Sequence, residues 1–191
     1  MATETLGKPI LAITYREGDL LERFLERLPL ERMSEPFFFE SIQSYYSREM
    51  GENLLKVFVS LKGLIRKDDL KVYKLWSVRW EKHLSVNGRR RLNIDPGYVD
   101  RHQLVLASSK ARGGRIFLGE GVFAEIEYLY VHGAFRPLFW TYADYRDKKV
   151  KEFFHTVRKD YLRELKFAQD GYYLITDFSS EELLHEKVHA L

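Results

Sequence analysis

Two hydrophobic periodicities alternate along the first half of the chain, and together they leave few folds open. Residues 10–15 (Ile-Leu-Ala-Ile-Thr-Tyr) form a short apolar run, the pattern of a buried strand. Leu20, Leu21, Phe24, Leu25 and Leu28 then recur at helical spacing, with Glu22, Arg23, Glu26 and Arg27 on the opposite face, until Pro29 stops the pattern. Pro36-Phe37-Phe38-Phe39 suggests a second strand, and residues 45–51 a compact connector of about one helical turn ended by Gly51. Residues 54–61 read as a third strand. Asp68 or Asp69 is placed to cap the next helix, on which Tyr73, Trp76, Trp80 and Leu84 share one face and which Asn87-Gly88 ends. Residues 91–95 read as a fourth strand, with Leu92 and Ile94 on one side and Asn93 and Asp95 on the other; Pro96-Gly97 suits the centre of a type II turn.

That order, β-α-β-β-α-β, predicts an α+β fold with a ferredoxin-like core. More sheet follows. Residues 104–107 are apolar on both parities, as in a central strand. Residues 115–118 and 122–131 flank Gly119-Glu120-Gly121, a hairpin signal, and Gly133 marks a further turn. Val150, Phe153, Phe154, Val157, Tyr161, Leu162 and Leu165 draw the stripe of a long C-terminal helix packed on the sheet. The expected organisation is one α+β domain over 1–166, extended by antiparallel hairpin strands. A C-terminal extension over 167–191 would hold a short strand at 172–175 and a helix begun by the Ser179/Glu182 capping box.

Composition excludes several classes. In 191 residues, 45% are hydrophobic and 31% charged, enough for a core and too many apolar residues for a disordered chain. The absence of cysteine removes disulfides, thiolate metal sites and a cysteine nucleophile. A net charge of +3 does not mark a nucleic-acid binder. With no long apolar run and an acidic N-terminus, a cytoplasmic protein without a membrane anchor is expected. Neither a P-loop, a Rossmann glycine fingerprint nor a Gly-x-Ser-x-Gly elbow occurs. His185-Glu186-Lys187-Val188-His189 matches the zincin pattern. The sequence ends two residues later, at Leu191, so no downstream third ligand is expected, and a chance pattern on a solvated helix is preferred, with no metal assigned.

Candidate ligand-binding residues cluster at strand ends and turns. Asn93 and Asp95 lie on one strand face ahead of Pro96-Gly97-Tyr98; they either present hydrogen-bonding groups to a ligand or cap their own turn. Lys110, Arg112 and Arg115, with Arg89-Arg90-Arg91 just before the fourth strand, offer an anion-binding face or solvated loop charge. Glu125 and Glu127 alternate on a strand, suited to acid/base or divalent-ion chemistry or to the wet face of a hairpin. The segment from Pro137 to Arg146 carries Trp140, Tyr142 and Tyr145, rings with polar tips that either stack a ligand or plug the long helix onto the sheet; Asp144 or Asp147 would cap that helix.

These stretches also carry a resemblance. Ser47-Arg48-Glu49-Met50-Gly51, residues 93–98, 104–108 with Lys110, 115–119 with Gly121 and Ala124-Glu125, and Trp140-Thr141-Tyr142 with Asp144-Tyr145 resemble domain-of-unknown-function family 4416, over about residues 8–165. The resemblance implies a prokaryotic protein of a kind often labelled GTP-binding, with no established activity. Since the chain lacks both a P-loop and Asn-Lys-x-Asp, a nucleotide would have to be held by another geometry. The expectation is therefore a small anionic or nucleotide-like ligand, bound and conceivably acted on, at Asn93, Asp95, Tyr98, Lys110, Arg115, Glu125, Trp140, Tyr142 and Asp144. An RNA-binding module and a non-catalytic partner protein are the alternatives. Cofactors and oligomeric state stay open.

Overall fold

In the computed structural model, which describes residues 3–169, the first apolar run becomes β1 (Leu6–Tyr15), and all ten of its residues are buried. A strand buried on both sides needs cover on both. Leu11, Ile13 and Tyr15 face one core; Ile10 and Ala12 face a second. The first core is closed by α1 (Gly18–Leu25) and α3 (Leu70–His83), through Leu20, Leu21 and Phe24 and through Tyr73, Trp76 and Trp80. The second is closed by α4 (Lys148–Gln169), through Val150, Phe154 and Val157. Burial of these aliphatic and aromatic side chains, about 1.5–3 kcal/mol for each fully buried large one, is the main force holding the layers together.

The other elements in chain order are β2 (Leu30–Met33), α2 (Glu40–Met50), β3 (Leu55–Leu61), β4 (Ile65–Arg66), β5 (Leu92–Val99), β6 (Gln103–Ser108), β7 (Arg115–Gly119), β8 (Val122–Val131) and β9 (Ala134–Pro137). Among the described residues the nine strands form one antiparallel sheet in the order β2-β3-β1-β5-β6-β8-β7, with β4 paired to β1 and β9 to β8. The fold is α+β, with a long C-terminal helix on the sheet, as the periodicities required. No described helix is long and apolar enough to cross a membrane.

Five local expectations are corrected. Pro36–Phe39 is not a strand: Phe37 makes one isolated bridge to Lys56, and Phe37 and Phe39 pack their rings against the second core. The second strand is instead Leu30–Met33, whose charged residues hid it. The connector is a full helix, α2, held by the small cluster Ile42, Met50 and Leu54. Asp69 stands at the start of α3 without capping it, because its carboxylate accepts from Arg66 at 3.0 and 3.1 Å. Asn87 and Gly88 both take positive φ in a two-residue hairpin turn closed by Val86 and Arg89, four residues beyond the helix end. Pro96-Gly97 is no turn either: β5 runs straight through it. The final expected strand, the Ser179 helix and the His185–His189 pattern lie outside the described residues.

Two buried lysines tie the sheet to what covers it. Lys8 on β1 reaches Glu31 on β2, Glu164 on α4 and the Gly63 carbonyl. Arg32 on β2 grips Asp160 on α4, bidentate. Lys56, in the middle of β3, pairs with Asp144.

Candidate functional site

The site is a consequence of where β5 and β6 stop pairing. β5 follows β1 for eight residue pairs, from Lys8↔Val99 to Tyr15↔Leu92. Its ladder with β6 covers only Gly97↔Leu106 to Val99↔Leu104, while β6 continues beside β8 to Ser108. The sheet therefore forks at Pro96, a residue with no N–H to offer a ladder. Gly97 marks the last close approach: a Cβ there would sit 2.2 Å from the Val105 carbonyl oxygen. Beyond the fork the open edge of β5 is satisfied by α3. The Ile94 N–H donates to Glu81 Oε2 at 2.9 Å, and the Ile94 carbonyl accepts from Lys74 Nζ at 3.4 Å.

A cleft of about 260 Å3 fills this fork, near the lower end of the roughly 300–1,000 Å3 of small-molecule sites. Its floor comes from Lys56, Asn93, Asp95 and Leu106; α3 supplies Lys74 and Glu81; β8 supplies Glu125 and Glu127. The rim is formed by Tyr45 and Tyr46 of α2, by Lys110 and Arg115, and by Tyr142 to Tyr145. Asp95 is central. Its charge raises the pKa of Tyr46 on α2, Lys56 on β3, Glu81 on α3, and Tyr142 and Tyr145 of the rim, a secondary contribution at each beside that of burial. Its side chain is 28% exposed, accepts from Asn93 Nδ2 at 2.9 Å and lies 3.6 Å from Lys74.

Most charges in the cleft are already matched. Arg90 is bidentate to Glu49 and also reaches Glu81 and Asn93. Glu125 is gripped by Arg112 and Arg115, whose cationic nitrogens occupy the places a metal ion would take on its oxygens. Burial works against a charge on Lys56, but Asp144 and Asp95 overcome it and hold the ammonium protonated. Lys110 differs. Its ammonium sits 4.5 Å from the centre of the exposed Tyr45 ring and bonds the Tyr45 hydroxyl. Arg112 lies likewise 4.6 Å from the Tyr142 ring, so two cations and two tyrosines frame the mouth.

Glu127 is the anomaly. It is fully buried, and its Oε1 has no donor among the described residues; Oε2 accepts weakly from the Tyr142 N–H at 3.3 Å. Burial first, then contact with Glu125, push its carboxyl up to about 9. Two adjacent carboxylates repel, whereas a proton on Glu127 turns the contact into a hydrogen bond donated to Glu125. Burial and the neighbouring Glu125 both favour the protonated form of Glu127.

Of the nine residues singled out from the sequence, the cleft gathers seven: Asn93, Asp95, Lys110, Arg115, Glu125, Tyr142 and Asp144. Two go elsewhere. Tyr98 packs its ring into the first core against Gly7, beneath Lys67. Trp140 donates its indole N–H to the Ile126 carbonyl and covers Gly114, outside the cleft. The aromatic segment divides its labour, since Tyr145 is a buried plug under α4 while Tyr142 faces the cleft. Asp147, not Asp144, caps α4. Lys56, Lys74, Glu81, Tyr45 and Tyr46 are cleft residues that were not anticipated, while Arg90, from the basic run ahead of β5, does line the cleft. The available signal was a charged residue inside an otherwise apolar strand, as at Lys56.

A family model described as a domain of unknown function, DUF4416, matches residues 8–161. The chain belongs to that family. The match spans every residue that lines the cleft, from Ser41 to Tyr145, so the fork is contained within the DUF4416 domain. Among curated proteins and among solved structures, nothing matches the chain. The chemistry of this DUF4416 protein therefore has to be argued from the cleft itself.

Proposed function

We propose that the protein binds a small anionic, nucleotide-like ligand in the fork. The observation that carries this reading is the convergence on one cleft of an accessible acid, Asp95, and a cation, Lys110, whose direct contact is a tyrosine and which has no carboxylate within ion-pair distance among the described residues. Asp95 and Asn93 suit the hydrogen-bond donors of a base or sugar. Lys110 and Arg112 at the mouth suit a phosphate or carboxylate. Tyr45 and Tyr142 offer faces for a flat ring. No P-loop is needed, because the anion is met by side chains and not by a glycine cradle. A ligand of this kind fits a prokaryotic, cytoplasmic protein.

The alternative of an RNA-binding module has less support. A ferredoxin-like reader stacks bases on an open sheet face, and here α1 and α3 cover one face while α4 covers the other. The test is a thermal-shift panel of nucleotides and phosphate esters on the native chain. A stabilising subset is expected, and its effect should vanish in Asp95→Asn and Lys110→Ala while the unliganded melting temperature of each variant stays near the native value. A flat response across the panel overturns the reading.

A further inference from the structure

The two edges of the sheet are built differently. β2 at one edge carries Glu31 and Arg32, and both are committed to partners on β1 and α4. Charged, tethered residues are how a sheet edge is protected from pairing with another chain. β7 at the other edge has no such guard. Its one charged residue, Arg115, turns inward to Glu125, Ser108 and Tyr142. What remains outside is Ile116, Phe117 and Leu118, which are 68%, 62% and 37% exposed. Phe139, 90% exposed, lies against Arg112–Gly114 at the start of the same strand. Among the described residues β7 pairs with β8 alone, so its far side presents unpaired N–H and carbonyl groups beside this apolar row.

We propose that β7 pairs antiparallel with β7 of a second copy of this chain, forming a symmetric dimer with a continuous sheet. The sequence of the strand is complementary to itself about Phe117. A two-fold axis there sets Phe117 opposite Phe117, Ile116 opposite Leu118 and Arg115 opposite Gly119. Aromatic and aliphatic pairs face one another across the strands, with no like charges opposed. The unequal edges decide in favour of a closed pair. A two-fold contact is self-complementary and closed: pairing consumes the β7 edge of each copy, and the β2 edges left at the far ends are guarded, so assembly stops at two. With roughly 150–250 Å2 for a large aromatic ring, the exposed parts of Ile116, Phe117, Leu118 and Phe139 supply on the order of 450 Å2 per copy. That is over half of the ~800 Å2 per partner in a standard interface, and the main-chain ladder and its flanks add the rest.

The absence of cysteine from the chain makes the test direct. Phe117→Cys carries a single thiol that the two-fold places opposite its own copy, at a strand spacing of about 4.5–5.5 Å that a disulfide can bridge. Mild oxidation of the full chain should convert this variant to a covalent dimer, whereas Met33→Cys on the guarded edge should stay uncrosslinked. Light scattering coupled to gel filtration should give a dimer mass for the native chain and a monomer mass for Phe117→Lys with an unchanged circular dichroism spectrum. If Phe117→Lys does not fold, the cysteine pair decides alone. A monomer mass for the native chain at every concentration, a dimer unaffected by Phe117→Lys, or equal crosslinking at positions 33 and 117 overturns the proposal.

Discussion

Replacing Glu127 with Gln should make the protein more stable, by an amount that grows with pH. The side chain is fully buried and titrates at about 9 in the fold, against 4.5 for an unperturbed glutamate. In the unfolded chain it gives up its proton near 4.5, so between 4.5 and about 9 the folded state holds one proton more than the unfolded state. The contribution of the protonated acid is therefore complete below 4.5 and is lost progressively up to about 9. Each pH unit in that window costs about 1.4 kcal/mol. At pH 7.5, three units above 4.5, the native residue forgoes on the order of 4 kcal/mol that a glutamine does not forgo. The Gln amide keeps the shape and can donate to Glu125 in place of the acid proton. For a chain of this size, 1 kcal/mol moves the melting temperature by roughly 2–4 °C. The variant should then match the native protein near pH 5 and exceed it by about 10 °C near pH 7.5. Paired thermal melts across that range read the difference. A gap that stays constant with pH, or a variant that is less stable throughout, would refute the assignment of the proton to Glu127.

Lys56→Met strands the buried Asp144 carboxylate and should cost about 3–5 kcal/mol in urea unfolding; adding Asp144→Leu should restore much of it, because paired removal leaves no buried charge. Gly97→Ala forces a methyl group against the Val105 carbonyl at the fork, and should destabilise by at least ~2 kcal/mol with early amide exchange in β6. Lys8→Met leaves Glu31 and Glu164 facing one another without their shared cation, so its penalty should shrink as the pH falls and these carboxyls protonate; pH-dependent melts would show the trend.

How far the sequence could be read depended on whether a pattern was local. The stripe Tyr73, Trp76, Trp80 and Leu84 repeats at helical spacing, and all four are buried. The hairpin at Gly119-Glu120-Gly121 carries its turn in three consecutive positive φ angles. By contrast, β2 is charged at two of its four positions, and its place is set by Lys8 and Asp160, which are remote in sequence. Pro36–Phe39 looks like a strand because it is a run of large apolar rings, but Phe37 and Phe39 pack against the core without a ladder and Phe38 stays exposed. Most of the acidic and basic cleft residues were visible as polar positions at strand ends. Lys56, Lys74 and Glu81 were not, since their roles come from contacts remote in sequence: Lys56 with Asp144, and Lys74 and Glu81 with the backbone of Ile94 where β5 and β6 diverge.

By itself, then, the amino-acid order determined the strongly periodic elements, the burial of the first strand and the long covering helix, because hydrophobic period is a property of neighbouring residues. The fork, the protonated state of Glu127 and the difference between the two sheet edges were decided only by tertiary structure. Each depends on groups from separate strands and helices meeting out of water, where the strength of a charge and the satisfaction of a backbone edge are set by distance in space and not by position along the chain.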